Sequence, residues 1–97
     1  MTEFIKTTKE HFKKLDLYVP VVDKVHGGTH PEFHDVRRLY EAINEKSDAA
    51  GMEKPNLNNE LTALREVTNN YSVPEDVCES YEAVYSMLAE IDAAYEK

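Results

Sequence analysis

The sequence predicts an all-α fold, specifically an up-down four-helix bundle. Three observations lead there. The few glycines and prolines gather mostly at three breaks: Gly27-Gly28, Gly51 to Asn58, and Asn69 to Pro74. The four segments between the breaks each carry apolar residues at helical spacing. No segment alternates with the two-residue period of a half-buried strand. Short connections between amphipathic helices imply antiparallel neighbours around one core.

The first helix is expected from about Glu3 to His26. Phe4, Leu15, Tyr18, Val22 and Val25 fall on one side of it. Pro20 is expected to kink or split this helix, because proline removes one hydrogen bond and crowds the preceding turn. The second helix begins at Thr29-His30-Pro31-Glu32. Thr29 as N-cap and Glu32 three residues later form a capping-box pattern, and proline is tolerated in a first turn. Phe33, Val36, Leu39, Tyr40 and Ile43 then share an arc of about 120°.

The third helix is shorter, from about Leu57 to Asn70, with Leu57, Leu61, Leu64, Val67 and the following Tyr71 as its stripe. The fourth is expected to begin at Ser72, where Glu75 completes a second capping-box pattern around Pro74. Val77, Tyr81, Val84, Tyr85, Leu88, Ile91 and Tyr95 form the cleanest amphipathic arc of the chain.

Ninety-seven residues make one domain, 1–97, large enough for a single core. Hydrophobic residues make up 41% and charged residues 31%, a globular balance. Nineteen acids against 11 lysines and arginines give a formal net charge of −8. Such a surface repels phosphate backbones and anionic lipid, so neither nucleic acid nor membrane is an expected partner. Cys78 is the single cysteine, which excludes an internal disulfide, and with no signal-peptide pattern the expected location is the cytoplasm.

Catalytic chemistry finds no motif. Phosphate-binding glycine loops and the nucleophile-elbow pattern are absent, and no acid–base pair is specified. No residue is assigned a catalytic role. Cys78, beside the apolar arc of the fourth helix, reads as a small buried hydrophobe with acidic neighbours. The tyrosines on the core stripes read as packing with a wet hydroxyl.

The candidate metal ligands are His26, His30, His11, Glu60 and Asp92. His26, His30 and His34 are spaced four apart, but Gly27-Gly28 and Pro31 interrupt any continuous helix through them. His34 points away from the apolar arc and reads as solvated, whereas His30 lies at its margin. His11 and His26 fall on the apolar stripe of the first helix, about 22 Å apart along its axis, too far to share one ion. Glu60 and Asp92 fall inside apolar arcs, and inward-facing carboxylates and histidines are how bundles build di-iron sites. The plainer reading is a charge near a helix end, favoured by the dipole for Glu60 and by solvent for Asp92.

Two stretches resemble a known family. They are YVPVVDKVHGGTHPEFHDVRRLYEAINE (18–45) and LTALREVTNNYSVPEDVCESYEAVYSMLAEID (61–92). Together, through K-V-H-G, H-P-E and L-R-E-V-T-N-N with the following proline and cysteine, they resemble the hemerythrin-like RIC family, proteins for repair of iron centres. The resemblance implies a hemerythrin-like bundle with a non-haem di-iron cofactor, acting in iron–sulfur cluster repair under nitrosative or oxidative stress. It implies His26 as a metal ligand and His30 as a further candidate. The chain departs from the family pattern where histidines should be followed by glutamate four residues later, since His11, His26, His30 and His34 are not. The resemblance therefore implies iron at an incomplete site, and the expected form is either one ion or a site whose ligands are pooled across a homodimer. The alternative is a metal-free helical interaction or regulatory module binding a protein partner, such as a full-length relative.

Overall fold

The computed structural model describes every residue except Met1, Met52, Lys54 and Lys97, and of Thr2 only the backbone. Four helices make up the fold: α1 (Thr2–His26), α2 (Glu32–Ala50), α3 (Asn58–Val67) and α4 (Glu79–Glu96). The described residues include no strand. The four form a helical bundle in which α1 lies against α4 and α2, and α2 against α3.

The expected split at Pro20 does not occur, and α1 runs through it as one helix. Proline deprives the Asp16 carbonyl of its usual donor. Buried Leu15, Val19 and Val22 nevertheless hold both halves of the helix on the core, and tertiary packing outweighs the local defect. The Asp16 carboxylate adds an anchor at the same level, accepting from the Tyr40 hydroxyl at 2.6 Å and the Asn44 amide at 3.0 Å. Burial, then the carboxylate, push the Tyr40 hydroxyl above its ordinary range.

The core arc of α1 differs from the expected one at its edge. Val19 is buried, Tyr18 is half-buried, and Val25 is 65% exposed. Val25 sits about 80° around the helix from Leu15, outside the narrow arc that meets α2 and α4.

The five expected core residues of α2 are all buried. Its expected cap does not form. Pro31 occupies the cap position without a side-chain hydrogen bond, and the Thr29 hydroxyl donates back to the His26 carbonyl at 3.3 Å. The backbone N–H groups of Thr29 and His30 also donate to that carbonyl, at 3.1 and 2.7 Å, so Thr29 belongs to the end of α1. Gly27 is required in this turn. A Cβ there would run into the Asp23 carbonyl oxygen and lie 2.6 Å from Cε1 of His34. The α2 helix ends at Gly51, whose φ of 63° suits glycine.

Helix α3 stops at Val67, three residues earlier than expected. The Thr68 hydroxyl donates to the Leu64 carbonyl at 2.6 Å and accepts the Tyr71 N–H at 2.8 Å. Asn69, Asn70 and Tyr71 then take φ of 52°, 60° and 62°, three left-handed residues in succession. Asparagine tolerates this conformation, whereas tyrosine adopts it only where other contacts enforce it.

Helix α4 begins at Glu79 rather than Ser72, and the Ser72–Glu75 capping box does not form. The Ser72 N–H donates to the Thr68 carbonyl at 3.0 Å, and Pro74 disfavours helix at Val73. Val77 and Cys78 therefore precede the helix. Cys78 is exposed, contrary to its expected burial, because its helical-wheel position never materialises. Tyr81, Val84, Tyr85, Leu88, Ile91 and Tyr95 are buried as expected. Phe33 stacks parallel to Tyr85 at 6.4 Å and tilts on Tyr81 at 5.0 Å, joining α2 to α4 in the core. No helix of the described residues is long and apolar enough to cross a membrane.

Candidate functional site

The five candidate ligands lie at different places in the bundle. His26 closes α1, and its Nε2 lies 3.2 Å from Sγ of Cys78. Its ring meets the Tyr81 ring edge-on at 5.5 Å. His30, in the turn before α2, meets the same tyrosine ring at 5.7 Å. The turn at Gly27 and the segment before α4 thus bring His26, His30, Cys78 and Tyr81 to one end of the bundle.

His30 is committed to carboxylates on both nitrogens. Its Nδ1–H donates to Glu32 at 3.0 Å and its Nε2–H donates to Asp76 at 2.9 Å. The Glu32 bond, joined by the Asp76 bond against the opposing effect of desolvation, raises its pKa above the usual 6.5. An imidazole donating from both nitrogens is the protonated form and offers no lone pair to a metal.

The other three sit elsewhere. His11, midway along α1, donates from Nε2 to Glu90 of α4 at 2.8 Å. Glu60 lies in the first turn of α3, and its Oε2 takes the Lys46 ammonium at 2.7 Å. The Lys46 bond holds its pKa below the ordinary carboxylate range, against the opposing effect of burial. Its Oε1 is buried without a hydrogen-bond partner among the described residues. Asp92 is buried, gripped by Arg65 at 2.8 and 2.5 Å and by the Tyr71 hydroxyl at 2.7 Å. This pairing raises the Arg65 pKa further, and burial with the Asp92 bond raises that of Tyr71.

These donors do not fit a di-iron centre within one chain. Among the described residues no three histidine, cysteine, aspartate or glutamate side chains gather as a group able to hold a metal ion. Glu60 and Asp92 are each engaged by a cation, and His11 and His30 by carboxylates.

The sequence reading missed two features. One is the His26–Cys78 pair, hidden because Cys78 was placed inside a helix. The other is the outer face of α1, where Leu17, Val21 and Val25 are 67%, 57% and 65% exposed. A signal for that face was present: three apolar residues at i, i+4 and i+8 alongside a stripe that already supplies a core. His34 is exposed as expected, with its Nδ1 2.6 Å from Oδ1 of Asp23.

Compared with known proteins, the chain matches no family model, no curated protein and no solved structure.

Proposed function

We propose that this chain is a helical interaction module that acts by protein contact. The observation that carries this reading is the outer face of α1. Among the described residues Leu17, Val21 and Val25 are the exposed large hydrophobic residues, and they form a single seam on one helix. Scattered exposed apolar residues are ordinary, but alignment along one helix suits an unfilled contact surface. We read the bundle as up-down and hemerythrin-like, with the net charge of −8 keeping it dissolved in the cytoplasm.

The test is site-specific photo-crosslinking in the cells that make the protein. A benzophenone side chain at position 21 is expected to give one discrete adduct, while the same group at exposed Glu66 on α3 gives none. No adduct at position 21, or equal adducts at both, refutes an interaction module built on this face.

A second reading is iron handling for cluster repair, as the family resemblance implies. It is supported by the meeting of His26 and Cys78 beside Tyr81 at one end of the bundle. Since the donors of one chain do not converge, its form would be a single ion or ligands pooled across a homodimer. Iron per chain, measured after anaerobic loading of wild type and His26→Ala, tests it. Retention lost in the variant supports it, and no retention in either sinks it.

A further inference from the structure

We infer that the α1 seam is the seat of an amphipathic helix with acidic flanks, supplied by a protein partner. The inference rests on the interaction-module reading and adds the chemistry of the partner.

The first observation is charge distribution. Helix α1 holds five lysines and four acids, whereas the rest of the chain holds six lysines and arginines against 15 acids. It is the one helix with net positive formal charge.

The second is that this charge is unspent. Arg37, Arg38, Lys46 and Arg65 each lie within ion-pair distance of a carboxylate. Among the described residues, no ion pair is found for exposed Lys13, Lys14 or Lys24. At 100° per residue, all three fall on the Leu17–Val25 seam or within about 40° of it. Glu3 and Glu10 are the acids of α1 in line with the seam, about four and two turns before Leu17.

The third is shape. The seam covers about 12 Å of axis, the span of three contact positions on an apposed helix. On its α4 side a shallow groove of about 390 Å³, lined partly by Lys14, Tyr18, Ala83 and Met87, offers space for an apolar side chain. An apolar seam with a groove beside it is the geometry of helix-in-groove recognition, and the lysine fringe selects acidic flanks.

Other occupants suit the face less well. The α1 seam of a second copy would bring the same lysine fringe, and like charges disfavour that pairing. An anionic membrane would attract three lysines while the acids of the remaining chain oppose it.

The test uses the whole protein and stapled helical peptides of about 16 residues, long enough to cover the seam. Each carries leucines at i, i+4 and i+8, flanked by glutamates, by lysines or by glutamines. Binding is read by fluorescence anisotropy. The glutamate peptide is expected to bind at least about tenfold tighter than the lysine peptide. Leu17→Glu with Val21→Glu is expected to abolish binding. The triple variant Lys13→Glu, Lys14→Glu, Lys24→Glu is expected to reverse the preference, and circular dichroism checks that each variant is folded. If the Leu17/Val21 variant loses helicity, the single Val21→Ser change serves in its place and is expected to weaken binding.

If glutamine or lysine peptides bind as well as the glutamate peptide, the acidic partner is overturned while the interaction module stands. If no peptide binds, the inference fails at the level of the surface. A seam-dependent dimer in sedimentation velocity would reassign the face to a second copy. Lysine-dependent flotation with phosphatidylserine vesicles would reassign it to a membrane. Either result overturns the inference.

Discussion

Arg65 closes a two-point fork on Asp92, its Nε 2.8 Å from one carboxylate oxygen and its Nη2 2.5 Å from the other. The pair ties α3 to α4, and the Tyr71 hydroxyl joins it at 2.7 Å from the left-handed turn between them. Asp92→Ala would leave the Tyr71 phenol without its acceptor and Arg65 with only the carboxylate of Glu96, 3.0 Å from its Nη2. Because Arg65 is 36% exposed, the cost is discounted from that of a buried pair to about 2–3 kcal/mol. Urea denaturation of iron-free protein checks this. Unchanged stability would show that Asp92 is not structural.

His30 links α2 to the segment before α4 through Glu32 and Asp76, and its pKa is raised in the folded state. A raised folded pKa means that folding favours the protonated ring. The contribution is complete below the unfolded value of 6.5 and is lost as pH rises through the higher folded value. Thermal melts stepped upward from pH 5.5 are expected to lose a component in wild type that His30→Gln lacks. Parallel curves for the two proteins would refute the linkage.

Gly27→Ala is expected to destabilise by about 1–3 kcal/mol, since the added methyl meets the Asp23 carbonyl oxygen and the His34 ring. Gly28 has open space around the same position, so Gly28→Ala is the matched control. Equal midpoints in denaturant for the two variants would contradict the close approach at Gly27.

Pro20→Ala is expected to raise stability by up to about 3 kcal/mol, by restoring a donor to the Asp16 carbonyl inside a helix that is already continuous. Calorimetry would register it as a higher melting temperature. A lower one would mean that the proline ring makes contacts worth more than the missing bond.

Leu17→Glu is expected to leave stability within about 0.5 kcal/mol of wild type, whereas Leu15→Ala costs about 2–5 kcal/mol. The two positions are two residues apart in the chain and oppositely placed, 67% exposed at Leu17 against 0% at Leu15. Similar losses at both would refute the orientation of α1, and with it the seam.

The core of α2 and α4 was legible because burial there follows helical phase alone. Phe33 to Ile43 and Tyr81 to Tyr95 are buried where the phase puts them. The linker before α4 was not legible, because Ser72, Pro74 and Glu75 imitate a cap. What overrides them is Pro74 itself, which disfavours helix at Val73, together with the left-handed backbone at Tyr71. Glu60 and Asp92 are candidate ligands because they fall inside apolar arcs. Their actual partners come from other helices, Arg65 for Asp92 and Lys46 for Glu60, and pairings across 27 and 14 positions leave no local trace. The α1 seam was visible as sequence spacing but was partly absorbed into the core through Val25.

The exposed position of Cys78 has an experimental consequence. As the single thiol of the chain, on the segment before α4 and against the last residue of α1, it allows one dye or spin label to be attached at a defined joint. Such a label would report when that segment lifts away from His26, separately from the melting of the tyrosine core beneath it.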